Sequence, residues 1–375
     1  AAKATSGTPN TPVTLTSYEG GITAFGEDAE GTPGMSTILS LLFQNGASTV
    51  VAVAVDEEDY PSAFAALGAE DNIQIIVCDS GEETIHQALR TSLEEASATR
   101  RERIAVVGMS GADTTKLTER AEALNSERMV LVGPDVLDKT GNTLSGIFAA
   151  AAVAGAVAVN ADPAIPLNGT ALKGLGGVAT LYNDNEIDLL VRGGVTPLEA
   201  VGGVVSPVRG ITTRTTTGGS PDITWRELTT ILVVDDVIPT IRASLRSRFS
   251  RTKNTAQTRG AIRSQVIVEL ENKLRAEIID SYGEVEVSVY EDDPSVCLVE
   301  FSFAVAQATK TSQVVEAFGE SEPVATINGQ NKYVLELTRL YATDEAISDG
   351  IDFFKLADFS LVICKPDRKV IYSGC

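Results

Sequence analysis

The sequence predicts an α/β domain with a mainly parallel sheet, then an α+β domain, then a β-rich C-terminal extension. Three observations carry this. Short apolar runs alternate with polar helical windows between Ile73 and Val132, the composition turns basic at about Ser206, and strand-like alternation dominates after Gly283. A length of 375 residues also exceeds what one hydrophobic core usually serves. The expected division is 1–205, 206–318 and 319–375.

The first sixty residues carry turn signals at Gly7-Thr8-Pro9-Asn10, Gly20-Gly21 and Gly31-Thr32-Pro33-Gly34, then a helical pattern and a strand at Val50 to Val55. Ile73–Cys78, Ile104–Val107 and Met129–Val132 follow as short buried strands. Between them lie helical windows at Glu82–Thr99 and Thr114–Asn125, the rhythm of βαβ units covered on both faces. An Ala-rich helix is expected near Ser145–Asn160. Its apolar stretch, Phe148 to Val159, is too short to span a bilayer. From there to Gly210 the chain is Gly- and Pro-rich, with periodicity only at Glu186–Arg192.

Between Arg209 and Arg275 stand twelve Lys/Arg against six Asp/Glu, a local charge of +6 in a chain of −21. Two helices carry most of the basic residues. In one, Ile241, Leu245 and Phe249 form an apolar stripe with Arg242, Arg246 and Arg248 off it; in the other, Ile262, Val266, Leu270, Leu274 and Ile278 repeat every fourth residue. Gly283 is expected to end the second helix. Val285, Val287 and Val289, a turn at Glu291–Ser295, and Cys297, Val299, Phe301, Phe303 and Val305 read as a hairpin with one buried face. The last fifty residues read as a hairpin around Asn328-Gly329, a strand at Tyr333–Tyr341 and a hairpin around Pro366-Asp367.

Composition excludes several function classes. Hydrophobic residues at 43% and charged residues at 22% describe a globular chain. The acidic excess repels phosphate backbones and anionic membranes, so direct nucleic-acid binding and membrane insertion are not expected. His86 is the single histidine, which rules out multi-histidine metal sites, and its polar helical window places it at the surface or boundary. The cysteines Cys78, Cys297, Cys364 and Cys375 form no C-x-x-C pair, and the first three fall in apolar strand patterns as small core residues. No catalytic residue, metal site or cofactor is assigned.

Two features bear on chemistry. Gly108-Met109-Ser110-Gly111 sits between a strand and a helix, where a nucleotide- or phosphate-binding enzyme would place its turn. Ser110 and Asp113 occupy the offsets at which a dinucleotide fingerprint needs glycine, and Asp113 would repel phosphates, so a structural turn is the plainer reading. Asp235-Asp236 stands just ahead of Pro239, where a helix is expected to start, which suits N-terminal capping.

The order of phrases resembles the contractile tail sheath proteins of myophages and phage-tail-like particles. The most specific are Val208-Arg209-Gly210-Ile211-Thr212-Thr213-Arg214, Gly218-Gly219-Ser220-Pro221-Asp222-Ile223-Thr224-Trp225-Arg226-Glu227-Leu228, Ile238-Pro239, Leu245-Arg246-Ser247-Arg248-Phe249 and Thr258-Arg259-Gly260-Ala261-Ile262-Arg263-Ser264-Gln265-Val266. Gly7-Thr8-Pro9-Asn10-Thr11-Pro12-Val13, Phe25-Gly26, Asn45-Gly46-Ala47 and Leu144-Ser145-Gly146-Ile147 resemble the family's earlier phrases, so the likeness runs over residues 5–318.

The resemblance implies a non-enzymatic structural subunit that self-associates into stacked rings around a tail tube protein and contracts to drive the tube through a cell envelope. It implies that 1–205 lies outside and 206–318 faces the tube, with neighbouring subunits linked by strand addition. The setting would be a virion tail or phage-tail-like particle, prophage-encoded ones included, assembled in bacterial cytoplasm. Interface candidates are Arg209, Arg214, Arg242, Arg246, Arg248, Arg251, Lys253, Arg259 and Arg263. The family's N-terminal arm, which precedes the G-x-P-N phrase, has almost no residues here, and residues 319–375 exceed the pattern; their end resembles a tube-type barrel.

Overall fold

The computed structural model describes residues 1–111, 113–289 and 296–306, together with the backbone of strands at 333–339, 362–364 and 370–373. Packing divides the chain into two compact units. One comprises Ala1–Ile241, Val268–Gly283 and Ser302–Val334; the other comprises Arg242–Ile267, Glu284–Phe301 and Leu335–Cys375.

The first unit opens with β1 (Val13–Leu15), α1 (Tyr18–Phe25), α2 (Met35–Gln44), β2 (Val50–Ala52), α3 (Tyr60–Ala69) and β3 (Ile75–Ile76). Then come α4 (Glu83–Ala98), β4 (Ile104–Gly108), α5 (Thr114–Leu124) and β5 (Met129–Gly133). The small strands β6 (Val136–Leu137) and β7 (Thr143–Leu144) precede α6 (Gly146–Val159), β8 (Gly177–Val178), α7 (Asp184–Arg192), β9 (Val195–Val201) and β10 (Val204–Pro207). β3, β4, β5 and β9 run parallel, and β10 adds antiparallel to β9, giving the order β10-β9-β5-β4-β3. The parallel sheet is therefore as expected. Every residue of β4 and β5 is buried, because helices cover both faces.

Two cores flank this sheet. Alternate side chains such as Val106, Val130 and Val132 meet α6 and α2, while Ala105, Val107, Met129 and Leu131 meet α3, α4 and α5. The Ala-rich composition of α6 brings backbones close: a β-carbon on Gly108 would lie 2.1 Å from the Gly146 carbonyl oxygen, and one on Gly155 2.8 Å from the Leu42 carbonyl oxygen.

The segment expected to lack pattern holds the β9–β10 hairpin, turned by Gly202 and Gly203, both at positive φ. After it come β11 (Thr216–Thr217) and β12 (Ser220–Pro221), then α8 (Leu228–Phe249), α9 (Ala256–Arg275), β13 (Ile279–Tyr282), β14 (Glu286–Val289) and β15 (Cys297–Val305). The remaining strands are β16 (Tyr333–Arg339), β17 (Val362–Cys364) and β18 (Val370–Ser373), the last two antiparallel to each other; the turn expected at Pro366-Asp367 lies outside the described residues. The hairpin expected at Asn328-Gly329 lies outside the described residues.

In the first unit β13 pairs with the end of β15, Tyr282 opposite Phe303; in the second, β14 pairs with its beginning, Val289 opposite Cys297, an antiparallel pair as expected, although on the β14 side Val287 is only half-buried and Val289 is exposed. The turn at Glu291–Ser295 lies outside the described residues. Cys78 and Cys297 are buried free thiols, as core residues should be.

Three expectations are corrected. Gly283 does not end α9. Glu277 does, at φ +60°, with its N–H donating to the Leu274 carbonyl and the Ile278 N–H to the Lys273 carbonyl. That is a Schellman closure with glutamate in the position glycine usually takes, and it frees Ile279–Tyr282 to be strand.

Pro239 does not start a helix. It lies inside α8, which begins eleven residues earlier at Leu228. Asp235 and Asp236 are consequently mid-helix, and the Thr240 hydroxyl donates to the Asp236 carbonyl at 2.6 Å beside the interruption.

His86 is not at the surface but fully buried. Its Nε2 lies 2.8 Å from the Ser80 carbonyl and its Nδ1 3.1 Å from Arg120 Nη1. Since the guanidinium can only donate, Nδ1 accepts and Nε2 carries the proton.

Candidate assembly surface

The nine basic candidates divide into those spent inside the chain and those left at its surface. Arg209 pairs with Glu227, both partly buried. Arg214 reaches Glu127 at 3.4 Å and donates to Thr217 Oγ1 at 3.1 Å. Within the second unit, Arg259 donates to Asn254 Oδ1 at 2.9 Å, and Arg263 to the Val285 carbonyl at 2.7 Å with Glu284 3.8 Å away. Arg242 is half-buried on α8.

The other four, Arg246, Arg248, Arg251 and Lys253, are exposed and make no ion pair among the described residues. They gather where α8 ends and the chain turns into α9. Local sequence builds this corner. Ile241 and Leu245 bury the apolar stripe of α8, which turns Arg246 and Arg248 outward. Thr252 closes the helix by donating its hydroxyl to the Phe249 carbonyl at 2.8 Å, and Thr255 Oγ1 caps α9 by accepting the Thr258 N–H at 3.2 Å. Gln265 Nε2 donates to Ser244 Oγ at 3.0 Å and ties the two helices together. Arg246 and Arg248 in the last turn of α8 also oppose its dipole favourably.

Sequence reasoning missed the anchor of α8 in the first unit. Arg128 holds Asp235 through two hydrogen bonds of 2.8 and 3.1 Å, and Asp236 pairs with Lys273. The adjacent acids were visible; their partners, far away in sequence, were not.

The Gly108–Gly111 turn is closed to phosphate by the chain itself. The Gly111 N–H donates to Asp135 Oδ2 at 2.8 Å, and the Gly146 N–H at the start of α6 donates to Asp135 Oδ1 at 2.7 Å. Asp113 caps α5 by accepting from the Lys116 N–H at 2.9 Å. The donors that would grip an anion already hold a carboxylate, so the geometry gives the enzyme reading no support.

Comparison with known proteins decides the family. The model of the phage tail sheath protein central domain matches residues 54–213, and that of the phage tail sheath C-terminal domain matches residues 220–312. The chain belongs to the phage tail sheath family. The tail sheath protein of Bacillus phage SP01 is 32% identical over 224 residues, which is 58% of this chain and 38% of that protein. The tail sheath protein of Mycobacterium phage Bxz1 is 32% identical over 181 residues, covering 44% and 31%. The chain thus spans well under half the length of these two sheath proteins. Among solved structures, the helical sheath of the anti-feeding prophage in its contracted state superposes with a TM-score of 0.65 at 13% identity, over 85% of this chain and 91% of that one. At that identity the likeness is one of sheath fold.

Proposed function

We propose that this chain is a structural, non-enzymatic subunit of a contractile tail sheath, which polymerises as stacked rings around a tail tube and contracts to drive the tube through a cell envelope. The match to both sheath domains in their proper order carries this reading. On it, residues 1–205 form the outer domain and 206–318 the tube-facing domain, while 319–375 make a β-rich extension and neighbouring subunits add strands to one another. The particle is a phage tail or tail-like particle, assembled in bacterial cytoplasm.

Arg246, Arg248, Arg251 and Lys253 supply the electrostatic contact. They are a compact cationic corner on a chain of net charge −21, so a second copy or an acidic tube protein would meet them with opposite charge. Arg209, Arg214, Arg259 and Arg263 serve instead to hold the subunit's own fold. Negative-stain microscopy of the protein at high concentration, with and without tube protein, should show ringed or helical tubes. Monodisperse particles under every salt condition would speak against the reading.

A further inference from the structure

Arg226, just ahead of α8, is half-buried, and its side chain makes no hydrogen bond or ion pair among the described residues. Its Nε is sealed from water without a partner. The charges that bear on it are two cations, Arg209 and Arg192, and two carboxylates, Glu227 and Asp188. Those four are matched to one another, Arg209 with Glu227 and Arg192 with Asp188 at 2.9 Å. The cluster therefore sets three guanidiniums against two carboxylates and is one anion short. Burial, with Arg209 and Arg192 adding to it, pushes the Arg226 guanidinium below its ordinary range. Leaving such a group unpaired has a cost that one more carboxylate would remove.

Arg226 also lines a cavity of about 870 Å³ that lies wholly within the first unit. Other acids on its wall are already taken: Asp71 pairs with Arg101, Asp235 with Arg128 and Asp236 with Lys273. Leu167 and Leu232 give the wall an apolar part, and Ile165 beside them is 51% exposed. A space of this size and character is too large and too apolar for a bare inorganic ion. It suits a carboxylate carried on an apolar body.

We propose that this cavity is an interface with a second copy of the chain, which seats an Asp or Glu side chain, flanked by apolar residues, against Arg226. The proposal rests on the sheath reading, which requires copies to meet. A second copy has the right chemistry, since it carries 51 Asp/Glu against 30 Lys/Arg and so brings carboxylates in excess. An arginine that meets its carboxylate among apolar neighbours, shielded from water, is also the kind of contact that dominates an interface.

The test follows self-association of the full chain by sedimentation velocity over a concentration series, for the native protein, Arg226→Met and Arg226→Lys. Arg226→Met should raise the concentration needed for association at least about tenfold, and Arg226→Lys should recover part of the loss. At concentrations where the chain is monomeric, Arg226→Met should leave the Tm unchanged or raise it, because the side chain has no partner in its own subunit to lose; a lower Tm would assign Arg226 to the fold and overturn the proposal. Association by both proteins at the same concentration overturns this contact alone, whereas association by neither removes the sheath reading and the contact with it. Acetate and hexanoate titrated into the monomer provide the last arm. A rise in Tm that Arg226→Met abolishes, with association unaltered by the substitution, would give the site to a free carboxylate and not to a second copy.

Discussion

Arg128, just ahead of β5, and Asp235, in the middle of α8, meet through two hydrogen bonds of 2.8 and 3.1 Å with both side chains largely withdrawn from water. Neither tolerates the loss of the other, because a lone charge would stay buried. Asp235→Ala or Arg128→Ala should each destabilise the fold by ~3–5 kcal/mol in denaturant titrations, while Arg128→Met with Asp235→Leu should cost clearly less than the two single changes added. Additive losses would mean the pair acts independently.

His86 makes stability depend on pH in a defined window. Burial pushes its pKa down to about 4, against the hydrogen bond to Ser80, with Arg120 adding to the depression. The unfolded chain, with an ordinary imidazole, takes up the proton first as pH falls, so stability is full above about 6.5 and declines toward 4. Between pH 7 and 4.5 this one group should cost roughly 2–3 kcal/mol. Denaturation of the native protein and of His86→Gln at both values isolates it, and equal slopes in the two would remove the assignment.

Two glycines should respond in opposite directions. At Gly108 a β-carbon meets the Gly146 backbone, so Gly108→Ala should destabilise by at least about 1–3 kcal/mol or prevent folding. Gly260 lies in α9 with nothing within 4 Å of an added β-carbon, so Gly260→Ala should stabilise by up to ~1 kcal/mol. Thermal unfolding of both variants checks the pair.

The cationic corner should be separable from the fold. Arg246→Glu, Arg248→Glu and Arg251→Glu should each cost no more than about 1 kcal/mol, most of it at Arg246 and Arg248, which oppose the α8 dipole. Together they should weaken self-assembly or tube association, and the loss should shrink at high salt, where charge contacts are screened. Arg214→Glu should behave otherwise, destabilising the subunit because it sets two carboxylates face to face at Glu127. Sedimentation across a salt series, alongside thermal melts, distinguishes the two outcomes.

The legible part of the fold was what hydrophobic order along the chain determines. β4, β5, α4 and α5 follow from runs and periods within twenty residues of one another, and the β14–β15 pair from plain alternation. The β9–β10 hairpin carried a signal too, two glycines between valines, which the surrounding Gly and Pro obscured. Glu277 had none, since nothing marks a glutamate for a left-handed position that tertiary packing imposes. Likewise the basic cluster could be counted, but not which cations it spends. Arg214 finds Glu127 across 87 residues, and only the folded chain shows that Arg246 and Arg248 make no ion pair among the described residues.

Asp135 changes what the mouth of the parallel sheet is for. Folds of this kind commonly leave the N–H groups at the strand ends open to a diffusible anion, and their shape then varies with whether one is bound. Here that anion is covalently attached to the chain, one carboxylate shared between Gly111 and Gly146. A phosphate or nucleotide would have to displace a tethered carboxylate to reach either N–H, so the sheet mouth serves to hold the turn and the start of α6 together.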